Sequence, residues 1–534
     1  MRKFVIKAFP MKKNNFTLWL LVPIVLFALF GAFAKAMLSL NHDESMYITA
    51  GVFVAQNKIL YKDFAYLQTP YLPLLYGNLY RLLHISSYYL LIGKLISFLF
   101  TCMSAMTLFL VARRVLNDIA LSLSVVALFL LNTTIVNSAA AASNYIMPLT
   151  FSFMGFYLFQ ASINRNQIKP FGIAVAGFFL AIAIGTKLTY AAIVIPFIAI
   201  SLFCPLTSEH SPITTKRRIA YLLFPFIAGI ALGLLPMLSY LSDVESFIFN
   251  NLGYHNVNAQ WRQITGYTGI ISPLLKIVYA LTVFLQADNL ILLIGILLGI
   301  GLSINSSQTI KQAIKRIPAE AFLAFLLFLI AVPTALAPTP SFPNYFAMPV
   351  SFLFLLLVYS SMSKSIEKST LHRRLLLILV LVSVACNGPI LLKPIYHLTD
   401  RNKWIGVYVH DVSMNVRNAL IATGVGTNHK IATLSPLLVI ESNLPIYSEL
   451  STGPFLYRVG DLLTLEQRKH FMSTSPRSIG DLFDKDPPAA ILVGFEAELD
   501  NPLIEYAISK SYKKVDGFFF FGGGKLYVLD IDKP

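Results

Sequence analysis

Asn41-His42-Asp43-Glu44-Ser45-Met46-Tyr47 places two carboxylates directly after the first long apolar segment of the chain. A carboxylate at the edge of a membrane can take a proton from an attacking hydroxyl, so the heptad has the composition of a general-base site. Its two acids are not equivalent. Asn41 followed three residues later by Glu44 fits a helix N-terminus, with Asn41 as N-cap and Glu44 reaching back as the partner of a capping box. On a helix over residues 42–56, Asp43 is turned roughly 100° away from Glu44 and is free to face a site. Asp43 is therefore the leading catalytic candidate and Glu44 the second, with a structural task of its own. Tyr47 shares the Asp43 face, where it either positions a substrate or packs at the interface as membrane aromatics do.

These residues need a frame, and composition says which kind. A chain of 534 residues that is 56% hydrophobic and 13% charged is outside the range of soluble globular domains and reads as an integral membrane protein. Apolar runs of spanning length fall at 17–38, 88–112, 119–137, 145–162, 170–186, 188–204, 219–241, 289–304, 319–337, 344–361 and 374–391, which makes eleven spans. The first follows the basic run Arg2, Lys3, Lys7, Lys12 and Lys13 and is read as an uncleaved signal-anchor, since about 20 apolar residues exceed a signal-peptide core. With the N-terminus in the cytoplasm, the inner segments hold 19 of the 42 basic residues, among them Arg113-Arg114, Arg165, Lys216-Arg217-Arg218 and the 311–316 cluster. Residues 271–287 are apolar enough for a twelfth span, but counting them would place the 311–316 cluster outside. They are read as a re-entrant or interfacial helix, in keeping with Lys276 among them.

The formal net charge of +16 follows the same partition, because residues 392–534 hold 15 basic and 16 acidic side chains and the excess belongs to the membrane part. It is a topology signal and excludes a nucleic-acid partner. Cys102, Cys204 and Cys386 lie in or at the ends of spans and read as packing residues. Two domains follow: 1–391, a multi-span membrane domain with large outer loops at 39–87 and 241–276, and 392–534, a small extracytoplasmic α/β domain. In the latter, strand-like runs at 431–434, 489–493, 518–521 and 526–529 alternate with helix-compatible stretches at 412–421 and 502–510. Gly522-Gly523-Gly524 reads as a hairpin connection, and no Walker A or G-x-G-x-x-G motif is present.

The first outer loop continues with Tyr61-Lys62-Asp63-Phe64 and then Gln68-Thr69-Pro70. An acidic pair, then Y-x-D-F, then a T-P step before an amphipathic helix resembles the GT-C glycosyltransferases. Within them it is most similar to bacterial relatives of family-39 protein O-mannosyltransferases, aminoarabinose transferases and RgtA-like enzymes. By architecture the resemblance covers roughly the first 360 residues. By motif it rests on Asp43-Glu44, 61–64 and Pro70, and on Thr186-Lys187 and Asn344-Tyr345-Phe346 with Pro349. It implies a polytopic helical GT-C-like fold, a polyprenyl-phosphate-linked sugar donor, and catalytic loops on the extracytoplasmic face of the cell membrane.

The chemistry suits these residue types. Moving a sugar from a lipid phosphate to a glycan, lipid or protein hydroxyl, with inversion, needs a base, Asp43, and cations for the departing phosphate. Lys187, at an outward turn between two spans, resembles the lysine that family members place near the lipid phosphate. Lys94 is a second phosphate candidate, or it snorkels to the interface from within its span; Arg81 is a headgroup anchor or a phosphate contact. Tyr61 and Asp63 in the first outer loop, His255 and Arg262 in the second, and Tyr345 at the tenth span complete the binding candidates. A divalent cation is possible in the wider class, but no ligand cluster beyond Asp43, Glu44 and Asp63 asks for one. Two other readings stay open: a transporter or flippase for a lipid-linked saccharide, and a glycan ligase or polymerase. The transporter needs carboxylates at mid-membrane, whereas Asp288 and Glu320 fall at span ends.

Overall fold

The computed structural model describes residues 15–164, 167–203, 214–266, 269, 272–303, 318–362, 366–515 and 523–529. The N-terminal basic run, Arg165, Cys204, the 311–316 cluster and residues 518–522 of the expected hairpin lie outside them. Apart from shorter turns, the membrane part consists of α1 (Asn15–Leu38), α2 (Glu44–Ala55), α3 (Tyr71–Leu82), α4 (Tyr89–Leu116), α5 (Ile119–Leu131), α6 (Thr133–Ala139), α7 (Ile146–Ser162), α8 (Pro170–Thr186), α9 (Val194–Phe203), α10 (Phe224–Leu238), α11 (Tyr254–Ile264), α12 (Pro273–Phe284), α13 (Ala287–Ser303), α14 (Ala319–Leu336), α15 (Ala347–Ser360) and α16 (Ile366–His397). Among the described residues, each of the eleven expected stretches is helical over most of its length. Among the described residues, six helical stretches are long and apolar enough to cross a bilayer, or up to eight if each bent pair is one span; α8 and α9 are shorter. The molecule is a multi-pass membrane protein.

The breaks in the bent pairs have identifiable causes. α5 and α6 meet at 64° around Asn132, whose side chain accepts the Ile135 N–H at 3.0 Å and donates to Asn289 at 2.8 Å. Asp288, at the start of α13, accepts both the N–H and the hydroxyl of Thr133 at 2.6 Å. Freed backbone groups inside a bundle must find such partners, so Asp288 serves as a cap. The 271–287 segment forms α12, 12 residues long and bent by 75° from α13. Lys276 points at the carbonyl end of α14, donating to Leu336 O, Ala337 O and Thr339 Oγ1 at 3.1, 3.3 and 2.7 Å. A lysine there is held by the helix C-terminus.

α8 and α10 pack with backbones in contact, through small residues, as helices do where lipid supplies no hydrophobic drive. A methyl group on Gly229 would stand 1.8 Å from Ala174 O, and one on Gly177 would stand 2.1 Å from Phe226 O. Gly229→Ala is expected to force the pair apart and cost about 1–3 kcal/mol. Gly301, which has nothing within 4 Å, should accept alanine without loss. Thermal unfolding of both variants in detergent checks this, and equal midpoints would refute it.

The second outer segment differs from the expected loop, since the chain continues helically from Thr215 to Ile264. Its Asn, Gln and His side chains do not break the helix. Tyr254, Asn258 and Arg262 recur every fourth residue and bury one face of α11.

Beyond α16 comes α17 (Ile405–Ala422) and a sheet of β1 (Ile431–Thr433), β2 (Ala490–Val493), β3 (Lys513–Lys514) and β4 (Lys525–Val528), with α18 (Asn501–Ser509) between β2 and β3. The order is β1-β2-β4-β3, parallel for the first pair and antiparallel for the others. α16 runs past residue 391 to His397 despite Pro389 and Pro394. The sheet unit is fastened to the membrane helices by polar contacts. Glu441, fully buried, accepts the Tyr89 and Leu90 N–H groups at 3.0 and 2.7 Å and so caps α4 from 350 residues away. Tyr89 Oη donates to Asn443 at 3.0 Å, and Phe249 stacks on Phe471 at 3.9 Å.

Candidate functional site

α2 begins at Glu44, and its first turn separates the two acids as the spacing predicts. The Asn41 N–H donates to Glu44 Oε2 at 2.8 Å, the return contact expected of Glu44, but the N-cap of the helix is Asp43 and not Asn41, so the capping box itself does not form. The Asn41 side chain instead accepts the Asp43 N–H at 3.0 Å. Glu44 is fully buried. Its Oε1 takes the Ala142 N–H at 2.5 Å and lies 2.6 Å from Lys94 Nζ, also fully buried. Lys94 donates in addition to Ser39 O and Ala140 O at 2.6 and 2.9 Å. Both members of this pair are saturated, so neither Lys94 nor Glu44 faces open space. Lys94 does not snorkel.

Asp43 is different. No hydrogen-bond donor or salt-bridge partner engages its carboxylate among the described residues, and the side chain is only partly covered. Burial pushes its pKa up, while His42, Lys187 and Arg458 pull it back. Those three basic side chains therefore mark out the site.

Lys187 sits in the turn after α8, with its ammonium 3.9 Å from the Tyr145 ring and 5.3 Å from the Tyr345 ring. The lysine, both tyrosines, Asn344 and Thr334 line a small pocket. Burial lowers the Lys187 pKa to about 7, with Asp43 opposing. His255, on α11, is held below its ordinary pKa by burial and by the neighbouring Lys187. Arg262, one turn from Asn258 on the same face, acts electrostatically on Tyr254 and Tyr345.

The other expected residues sit further back. Tyr47 is buried and donates to Asn144 at 2.9 Å; Asn144 donates to Gln68 at 2.9 Å. Tyr61 donates to Gln68 O at 2.5 Å, with its ring edge-on to Tyr240 and Phe247. Both tyrosines thus converge on Gln68, Tyr61 directly and Tyr47 through Asn144. Asp63 closes its own turn by accepting the Ile59 N–H at 2.7 Å, and Arg81 donates to Asn57 and Asn78. Neither Asp63 nor Arg81 is brought to Lys187.

Sequence reasoning passed over Arg458. It donates to Asn258 at 2.8 and 3.1 Å and to Tyr254 Oη at 3.1 Å, lies 5.3 Å from the Trp261 and Phe455 rings, and acts electrostatically on Asp43. His42 bonds Glu496 at 2.7 Å and meets Phe455 edge-on, fixing the same segment over the first loop. The signal was the run Phe455-Leu456-Tyr457-Arg458, aromatic and basic at the end of a Gly-Pro turn. Among the described residues no three His, Cys, Asp or Glu side chains gather to hold a metal ion. Asp43 lies under the influence of basic side chains, Glu44 is spent on Lys94, and Asp63 is spent on its own turn at Ile59, so the donor set expected for a divalent cation does not fit one.

No protein-family model matches the chain. Nor does any curated protein sequence. Solved structures do. ArnT from Cupriavidus metallidurans bound to undecaprenyl phosphate superposes with a TM-score of 0.61 at 11% identity, over 96% of this chain and 98% of that one; its apo state gives 0.61 at 12% identity. The apo oligosaccharyltransferase of Archaeoglobus fulgidus gives 0.51 at 14% identity, over 94% of this chain and 73% of that one. Over nearly its whole length, this chain has the GT-C fold.

Proposed function

We propose that the protein is a membrane glycosyltransferase that moves a sugar from a polyprenyl-phosphate donor to a hydroxyl of a cell-envelope glycan, lipid or protein, on the extracytoplasmic side. One observation carries this reading: a carboxylate, Asp43, and a lysine, Lys187, that have no ion-pair partner among the described residues act on each other at one site. Asp43 takes the acceptor hydroxyl proton as the oxygen forms its bond to the anomeric carbon. The sugar–phosphate bond breaks on the opposite face, and the phosphate leaves with the electron pair, stabilised by Lys187 with Arg262 and Arg458 nearby. Glu44 and Lys94 position this loop without touching substrate. The similarity to a fold solved with undecaprenyl phosphate supports a lipid-phosphate donor. A flippase has less to recommend it, since Asp288 is consumed in capping.

The test is sugar transfer by the purified protein from a panel of polyprenyl-phosphate sugars to a membrane extract. Failure with every donor overturns the reading. The Lys187 pKa of about 7 adds a pH signature. An anionic donor selects the protonated amine, so donor kcat/KM is expected to fall about tenfold per unit above pH 7 until the donor-bound pKa is reached. Lys187→Arg, charged throughout, should move that falling limb to higher pH. A limb unmoved by the arginine would remove Lys187 from phosphate binding.

A further inference from the structure

An open groove, sharing no residue with the Lys187 pocket, lies between the Ser39 end of α1 and the His397 end of α16. Lys35, Lys393, Lys403 and His397 line it together with the apolar Leu38 and Ile390. The two helices run side by side in the same direction, with Gly31 directly against Leu391. Their last turns therefore stand at one level, and the Ser39 carbonyl there accepts the Lys94 ammonium that also pairs with Glu44, the neighbour of Asp43 in sequence.

The groove is strongly one-sided in charge. Asp400 approaches Lys403 at 3.4 Å in a contact that is about half exposed on each side. Lys35 and Lys393 have no acidic partner within salt-bridge distance among the described residues. A basic residue in a last helical turn offsets the helix dipole, which accounts for Lys35. It does not account for Lys403, which arrives at the same groove from the turn beyond α16. The flank is apolar and aromatic: Leu392 is exposed, Tyr396 is 81% exposed, and Trp404 donates its indole N–H to Leu398 O at 2.8 Å. Exposed apolar surface beside an interfacial tryptophan and tyrosine is what borders a lipid headgroup region.

We propose that this groove binds an anionic phospholipid of the bilayer, with its phosphate between the three lysine ammonium groups and an acyl chain along Leu38 and Ile390. Charge complementarity and the apolar wall together select this occupant over a soluble anion. Native mass spectrometry of the detergent-solubilised protein tests it with four probes: phosphatidylglycerol, phosphatidylcholine, a polyprenyl phosphate and inorganic phosphate. Phosphatidylglycerol is expected to be retained and phosphatidylcholine lost. The combined Lys35→Gln, Lys393→Gln, Lys403→Gln variant should weaken phosphatidylglycerol binding by about a hundredfold, roughly fivefold for each lysine removed. Equal retention of the two phospholipids, undiminished binding by the variant, displacement of phosphatidylglycerol by polyprenyl phosphate, or binding of inorganic phosphate alone would each overturn the proposal. An unchanged lipid-free thermal midpoint verifies that the variant folds. If it does not, the single Lys393→Glu exchange at an exposed position carries the same comparison.

Discussion

Asp43→Asn is expected to lower the rate of sugar transfer by about 10²–10⁴-fold while leaving the thermal midpoint unchanged. The amide keeps the size of the side chain and removes the base. Because no hydrogen bond or ion pair among the described residues depends on that carboxylate, little stability goes with it. Binding of the donor should survive, since the phosphate is assigned to Lys187 and its neighbours. The pH dependence has a definite sign. Burial raises the Asp43 pKa, and only the deprotonated form accepts a proton, so activity rises with pH through a value above the usual carboxylate range. Transfer by Asp43→Asn at the wild-type rate would refute the base assignment; a rising limb retained in that variant would place it on another group.

Lys94→Met is the second large effect, and it acts on stability. The substitution keeps the aliphatic stem but leaves the Glu44 carboxylate buried without its cation, together with two carbonyls that the ammonium had satisfied. Breaking a buried pair from one side costs about 3–5 kcal/mol, most of it the penalty of the stranded charge. Glu44→Gln strands Lys94 in the same way and should be comparably destabilising. The double variant, which removes both charges, is expected to recover much of the loss, and thermal unfolding of the four proteins gives the coupling. This cycle also separates the roles of the adjacent acids. If Glu44→Gln loses transfer at an unaltered midpoint, Glu44 belongs to the chemistry and not to the support.

The apolar runs located helices well because length and hydrophobicity are local properties. The span 170–186 coincides with α8, and strands at 431–433 and 490–493 fall within the runs that predicted them. Whether a helix bends is less local. The break at Asn132 depends on Asp288 and Asn289, which arrive from a distant part of the chain. The acidic pair was separable by its spacing, since Glu44 does reach back to Asn41. Its ion pair with Lys94 was not, because the two are brought together only by packing of α2 on α4. The second outer loop was misread for a plainer reason. Its polar residues suggested solvent, whereas their four-residue recurrence, Tyr254, Asn258 and Arg262, is that of a buried helical face. Arg458 was beyond reach of local reading, as its partners lie some 200 residues earlier.

The Glu441 cap on α4 gives the protein a timetable. The amides of Tyr89 and Leu90 are made early, and the carboxylate that receives them follows about 350 residues later. At ordinary synthesis rates that is a delay of roughly 20–70 s. Throughout it the first turn of α4 can be served only by water and headgroups, so the helix enters the bilayer with its top unfinished. Maturation of α4 then waits for a later-made part of the chain to lock an earlier one.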